Sequence, residues 1–386
     1  MNPPPYTNAD FDESPLMFYY EVTRACDLVC RHCRASAQKQ ACSDELSTEQ
    51  SMELLNQAAS FPRKPIVVLT GGDPLKRADI FDLVTHARSK GLEVALTPSA
   101  TPLATRETLR KAKRAGVRRL GISLDGTDPQ THDAFRGWSG SFERTLHMME
   151  DAKDVGLSVQ VNTSITAGNF HTLDATAELL ARQDIAMWSV FFLIPTGRGS
   201  QLKRITPEEY EIAFEKLWSH AQTQPYAVKT TEAPHYRRYV LQQSGNPLAG
   251  PRKDASRDAG HQAPLGVRDG KGIMFVGYNG EIYPAGFLPV RCGRFPTDSV
   301  VGAYQHHPNF RALRDPDKFN GKCGRCEFRQ ICGGSRSRAF AVTGDMLAGE
   351  PDCTYIPTAQ DWKADVEDHL NNLDRTPTRP SSPALA

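Results

Sequence analysis

Long apolar runs are missing from this chain of 386 residues. No stretch approaches the roughly 20 residues that a membrane-spanning helix requires, so no membrane partner is expected. An excess of either charge is missing too. The 46 Lys and Arg stand against 45 Asp and Glu, and a net charge of +1 gives no reason to expect nucleic acid or an anionic surface as a partner. The opening residues, Met1-Asn-Pro-Pro-Pro-Tyr, carry neither the basic nor the apolar region of a secretory signal, and a cytoplasmic location is expected. Cysteine, by contrast, is plentiful. Nine cysteines in such a chain point to metal rather than disulfides. Seven fall into two spaced groups, which leaves Cys42 and Cys292 as plain thiols.

The first group is Cys26-Asp-Leu-Val-Cys30-Arg-His-Cys33, directly after the apolar run Met17-Phe-Tyr-Tyr-Glu-Val-Thr23. Three thiolates so spaced can wrap one face of a small cluster. A 4Fe–4S cubane takes four cysteines, so three leave one iron open, and an open position separates a catalytic metal site from a closed structural one. A zinc site or a reducible thiol cluster is the other reading. Zinc prefers paired halves, and no fourth ligand lies nearby.

Cys-x3-Cys-x2-Cys on the loop after a first strand resembles the signature of the radical S-adenosylmethionine (radical SAM) enzymes. Gly71-Gly72-Asp73-Pro74, after the apolar run Pro65-Ile-Val-Val-Leu-Thr70, is similar to that family's Gly-Gly-Glu motif, with aspartate in place of glutamate. The resemblance implies that Cys26, Cys30 and Cys33 hold the catalytic cluster. It further implies that S-adenosylmethionine chelates the open iron and that one electron cleaves its sulfonium. The resulting 5′-deoxyadenosyl radical then takes a hydrogen atom from substrate. A low-potential donor of the flavodoxin or ferredoxin type is implied as the electron source. Gly71, Gly72 and Asp73 are expected at the cofactor, since glycine lets backbone approach a ligand closely. Ser123 and Arg136, in and after Gly121-Ile-Ser-Leu-Asp-Gly126, match positions that contact the ribose and carboxylate in related enzymes. A guanidinium fork suits a carboxylate. The other reading makes Asp125 a turn cap and Arg136 a surface residue. Ser99, Asn162 and Leu193 occupy the equivalent places on the third, fifth and sixth strands.

Strand patterns at 17–23, 65–70, 92–97, 117–124, 157–165 and 186–194 alternate with helical patterns near 48–60, 77–90, 105–115, 141–155, 169–183 and 207–221. Such alternation signals βαβ units and a parallel sheet. Periodicity alone does not separate a doubly wound sheet from a barrel. The family resemblance names an α/β fold, a (β/α)6 partial TIM barrel, with chemistry at the C-terminal strand ends. Its expected span is 16–235. A Gly/Pro-rich polar linker or mobile loop is expected over 236–270, an auxiliary domain over 271–373, and disordered tails over 1–15 and 374–386.

The second group is Cys323, Cys326, Cys332 and Cys353, enough for a closed 4Fe–4S site or a structural zinc. The preceding Gly277-Tyr-Asn-Gly-Glu-Ile-Tyr-Pro284 is similar to the hairpin that opens the SPASM and related extensions of radical SAM enzymes, and Asn279-Gly280 is a hairpin turn signal. That likeness implies a second cluster. Only five cysteines follow Gly277, and Ala285 stands where such enzymes often have another, so one auxiliary cluster is expected, with Cys292 unligated. Eight Lys and Arg against three Asp and Glu between Arg311 and Arg338 read as compensation for cluster charge, or else as recruitment of a carboxylate-bearing substrate. The run from Cys332 through Ala348, with Pro351-Asp-Cys353-Thr-Tyr, resembles the haem-biosynthetic branch, which includes enzymes that decarboxylate tetrapyrrole propionates. A tetrapyrrole is therefore the expected substrate, a precursor peptide the alternative. An iron–sulfur carrier or zinc-binding adaptor is the non-enzyme alternative, disfavoured because neither needs six βα units.

Overall fold

The computed structural model describes residues 6–244 and 266–357. Helix α1 (Asp10–Glu13) and strand β1 (Met17–Glu21) lead into α2 (Thr48–Ala59), β2 (Ile66–Thr70), α3 (Ile80–Ser89), β3 (Glu93–Leu96), α4 (Arg106–Ala115) and β4 (Arg119–Ser123). The chain continues through α5 (Pro129–Arg136), α6 (Ser141–Val155), β5 (Ser158–Ile165), α7 (Leu173–Ala181), β6 (Met187–Phe192), α8 (Pro207–Thr223), β7 (Ala227–Thr231) and α9 (Tyr236–Ser244). Strands β8 (Arg268–Asp269), β9 (Gly272–Val276) and β10 (Ile282–Tyr283) follow, then helices α10 (Val300–His306), α11 (Pro308–Arg314), α12 (Gly321–Arg325) and α13 (Arg336–Thr343).

One sheet, ordered β10-β9-β1-β2-β3-β4-β5-β6-β7, organises the molecule, and every pairing from β9 to β7 is parallel. Helices cover one face, where Leu120, Ile122, Val159, Val161, Trp188 and Val190 are almost completely buried. The opposite face lines a lumen. Along β5, residues alternate between half-buried on the lumen side and buried on the helix side, as a period-2 strand between two environments must. This is the partial barrel expected of the six βα units, with β7 and β9 added beyond them, one at each edge. β9 pairs with β1 from the far end of the chain, Met17 against Ile273, a contact no local pattern announces.

Local chemistry sets the boundaries. Ser47 and Thr206 form capping boxes with Gln50 and Glu209 at the starts of α2 and α8. Asp128 caps α5, Pro129 takes its first position, and Gly137 ends it in the left-handed region at φ +70°. The Asn279-Gly280 hairpin is present, joining β9 to the antiparallel β10.

Two expected boundaries meet ordered structure instead. Within the expected tail, α1 is helical because Phe11 is fully buried and its carbonyl accepts from the Tyr304 hydroxyl at 2.8 Å. Within the expected linker, α9 is helical and β8 pairs with β9. The rest of that span, 245–265, and the expected tail at 374–386 lie outside the described residues.

Candidate active site

The cysteine loop leaves the C-terminal end of β1 and is held from three other strand ends. From β2, Gly72 N donates to Thr23 O at 2.8 Å and Asp73 N to Ala25 O at 2.7 Å. The approach is so close that a Cβ on Gly72 would lie 2.4 Å from Ala25 O, so a side chain cannot fit without moving backbone. Beyond β4, Phe135 O accepts from Arg31 N at 2.9 Å, and the His32 ring stacks on Phe135 with centroids 4.6 Å apart. After β6, Arg198 donates through Nε to Cys30 O at 2.8 Å and through Nη1 to Ala37 O at 3.0 Å, while its amide reaches Cys33 O at 3.0 Å.

Cys26 and Cys30 are buried and Cys33 is half-buried; all three are free thiols. Burial pushes the Cys26 thiol up and the Cys30 thiol up to about 11. The nearby Arg136 guanidinium opposes this for both, and each of the three cysteines acts on Arg136 in return. Such thiols stay protonated until a metal displaces the proton. Ser99 Oγ lies 3.6 Å from Cys26 Sγ, which places the third strand's end at the first ligand.

The other sequence candidates divide. Asp73 is fully buried and its carboxylate is spent locally: it accepts from Thr101 Oγ1 at 2.9 Å, Leu75 N at 3.1 Å and Ser99 N at 3.3 Å. It brackets β2 to β3 and holds Gly71 and Gly72 against the cysteine loop. Arg136 is no surface residue. It is 8% exposed, Nη1 bonds Asp125 Oδ2 at 3.2 Å, and buried Nε has no partner. Asp125 in turn accepts from Ser164 N at 2.7 Å, so it holds the arginine and the end of β5 together. Ser123 and Asn162 stand in register on β4 and β5, and Asn162 accepts from Gln160 Nε2 at 2.8 Å. Leu193 is buried and packs beneath Gly199 of the loop that carries Arg198. Sequence reasoning missed that loop. Gly197, where a Cβ would lie 2.5 Å from Cys33 O, and Arg198 are as close to the cysteines as any residue it named. Glycines flanking an arginine, directly after the sixth strand, were the available signal.

The model of the radical SAM superfamily matches residues 20–182, which run from β1 to just past α7. An AdoMet-dependent heme synthase of Methanosarcina barkeri is 36% identical over 89% of this chain and 97% of its own length. A protein of the same name from Nitratidesulfovibrio vulgaris is 35% identical over 92% of this chain and 96% of its own. This chain belongs to the radical SAM superfamily, in the haem synthase branch. The crystal structure of Streptococcus suis SuiB bound to S-adenosylmethionine shares the fold, with a TM-score of 0.69 at 16% identity over 89% of this chain and 78% of that one. A radical SAM enzyme requires S-adenosylmethionine and a 4Fe–4S cluster, and the loop fits the cluster: three free thiols, and a buried guanidinium nitrogen left open beside them.

The second cysteine group of this radical SAM enzyme lies around α12 and α13. Cys323, Cys326, Cys332 and Cys353 line one small cavity with His235, Arg238 and Glu350. Burial pushes Cys326 up to about 12, Cys353 up to about 11, and Cys332 further still. Donors already aim at sulfur: Glu350 N lies 3.2 Å and Arg336 Nη2 3.7 Å from Cys323 Sγ, and Gly334 N lies 3.4 Å from Cys332 Sγ. Among the described residues no His, Cys, Asp or Glu side chains converge closely enough to hold a single metal ion. The basic run is mostly consumed: Arg338 pairs with Glu350 and Asp352, Arg314 with Asp12, Arg329 with Asp317. Cys42 and Cys292 stand apart from both groups. Cys42 accepts from Gln38 Nε2 at 3.2 Å, and Cys292 is buried in the main core. No described helix is long and apolar enough to cross a membrane.

Proposed function

We propose that this radical SAM enzyme acts on the propionate side chains of a haem-type tetrapyrrole. The supporting observation is the 36% identity that runs through 97% of the Methanosarcina barkeri heme synthase, auxiliary segment included, rather than through the superfamily core alone. Cys26, Cys30 and Cys33 would hold the radical-generating cluster. When bound, that cluster supplies the electron that cleaves S-adenosylmethionine to the hydrogen-abstracting 5′-deoxyadenosyl radical.

The protein's own residues do the positioning. Gly71 and Gly72 leave room beside the cysteine loop, and Asp73 fixes them there. Arg136, buried and pre-oriented by Asp125, offers an unpaired N–H to the cofactor carboxylate. Ser99, Ser123, Asn162 and Leu193 line the strand ends where the cofactor's sugar and base would lie. Cys323, Cys326, Cys332 and Cys353 would hold an auxiliary 4Fe–4S cluster, a sink for the electron left on substrate after hydrogen abstraction. Four protein ligands close such a site, which suits outer-sphere transfer rather than substrate ligation. A flavodoxin- or ferredoxin-type protein would deliver the low-potential electron.

Anaerobically reconstituted enzyme, given S-adenosylmethionine, a reductant and iron coproporphyrin, is expected to form 5′-deoxyadenosine and porphyrin that has lost carbon dioxide. Alanine at Cys26, Cys30 and Cys33 together should abolish both products and leave about four irons of about eight. Cofactor cleavage with an untouched porphyrin would refute the substrate assignment. A triple variant that still cleaves the cofactor would refute the ligand assignment.

A further inference from the structure

Lys229, on the lumen side of β7, has no hydrogen-bond or ion-pair partner among the described residues. Its neighbour in the strand, Val228, packs toward the helices, which directs Lys229 the other way. The flanking Thr231 confirms the face, since its hydroxyl lies 3.0 Å from Ser189 Oγ on the lumen side of β6. Burial lowers the Lys229 ammonium to about 8, and the one charged group that acts on it is another cation, Arg119. Arg119 likewise stands on the lumen face of β4, opposite the buried Leu120. Among the described residues it forms no ion pair, and the one carboxylate acting on it is the exposed Glu93.

Enclosed cations are normally paired, because removing a charge from water costs more than packing returns. Here two mutually repelling, half-buried cations face one lumen without an ion-pair partner among the described residues, an arrangement that by itself gains nothing for the fold. Between them the wall is neutral and polar, with Asn162 and Ser189 in register with Lys229. Toward the mouth, the half-buried rings of Phe191 and Phe287 lie with centroids 6.5 Å apart. Apolar rings toward the mouth and cations deeper, Lys229 level with Asn162 and Arg119 level with Ser158 four residues lower on β5, match an apolar ring ligand with anionic arms of differing reach.

We propose that Arg119 and Lys229 are the residues that receive substrate carboxylates in the lumen and so select a ring-bearing polycarboxylate. This deepens the tetrapyrrole reading and rests on it. The test is equilibrium binding of iron coproporphyrin and of its tetramethyl ester to the full chain, followed by porphyrin absorption. Wild-type protein is expected to prefer the acid, and Lys229→Met or Arg119→Met should each weaken acid binding by about tenfold or more, the loss of one charge-assisted hydrogen bond. Ester binding should stay unchanged. Thermal melting supplies an independent readout: removing an unpaired enclosed cation should raise the melting temperature of Lys229→Met, whereas a structural lysine would lower it. Equal wild-type affinity for acid and ester, or undiminished acid preference in both variants, overturns the carboxylate assignment and leaves the tetrapyrrole reading intact. Wild-type protein that binds neither porphyrin overturns both.

Discussion

The loop of Cys26, Cys30 and Cys33 is held through its backbone carbonyls, whereas the segment of Cys323, Cys326, Cys332 and Cys353 is held by buried charge. Around the first, carbonyls of residues 23, 25, 30, 33 and 135 are the contact points, and glycines let other strand ends reach them. Around the second, Arg336 and Arg338 are fully buried, and Arg338 contacts Glu350 at 3.2 Å and Asp352 at 3.1 Å. Its Nη2 also donates to Glu232 O at 2.7 Å, which ties the auxiliary segment to the end of β7. The difference follows from what each must do. Under the proposed assignment the first site must admit a cofactor, and even its one charged clamp, Arg198, ends on the carbonyls of Cys30 and Ala37 and leaves the thiols free. Under the same proposal the second site is closed to ligands, so charge can be packed around it, and cations near four thiolates would offset their negative field.

The largest expected effect tests the charged half of that contrast. Arg338→Ala removes one partner of a buried network, strands Glu350 without its cation and leaves Asp352 with Arg204 alone. Breaking such a pair costs about 3–5 kcal/mol. Chemical denaturation should show that loss, with iron released from the second site before the first. Arg338→Met should recover part of the packing and none of the pairing. A loss below about 1 kcal/mol, the scale of an exposed pair, would mean that charge does not hold the auxiliary segment.

How far the sequence carried this reading depends on the range of the interactions involved. Six strands and the helices between them, α5 excepted, were legible because their signals are local: a period of 2 in Ser158–Ile165, capping residues at Ser47 and Thr206, glycine after Ala115 and Val155. Both cysteine groups were legible because ligand spacing is local too. β7 and β9 were not. Ala227-Val-Lys-Thr-Thr231 is too polar to read as an inner strand until its lumen side is known, and Gly272–Val276 finds its partner at the opposite end of the chain. The clamp by Arg198 was hidden for the same reason, since its acceptors lie on another loop. The aspartate in Gly71-Gly72-Asp73 was visible, but its role as a bracket to Ser99 and Thr101 needs three-dimensional proximity.

A middle-sized effect tests the first site. Arg136 is held by Asp125 but keeps Nε unpaired, so its substitution should change binding more than folding. Arg136→Ala is expected to weaken S-adenosylmethionine binding by about 1.5–3 kcal/mol, the range for a hydrogen bond to a charged group. Iron content should stay the same, because the backbone clamps on the cysteine loop remain. Unchanged affinity by isothermal titration would reassign Arg136 to holding Asp125 and the end of β5.

The smallest effect concerns His132, which supports that arginine from below. Asp125 N donates to His132 Nδ1 at 3.1 Å, and Nε2 lies 3.2 Å from Ser141 Oγ, so the neutral ring with a bare Nδ1 is the form that fits. Burial lowers its pKa to about 4, against the partial opposition of the Asp125 carboxylate. The unfolded chain therefore takes up this proton first as pH falls from about 6.5, the ordinary value for histidine. Stability from the neutral ring is complete above that pH and drains away toward pH 4, where the folded ring protonates as well. Other groups titrate in the same window, so the informative quantity is the difference between wild type and His132→Gln. Melting temperatures of the wild type should fall more steeply than those of the variant between pH 6.5 and 4. Parallel curves would show that the Asp125–His132 bond does not depend on a neutral imidazole, and that the first site is held by its backbone clamps without help from beneath.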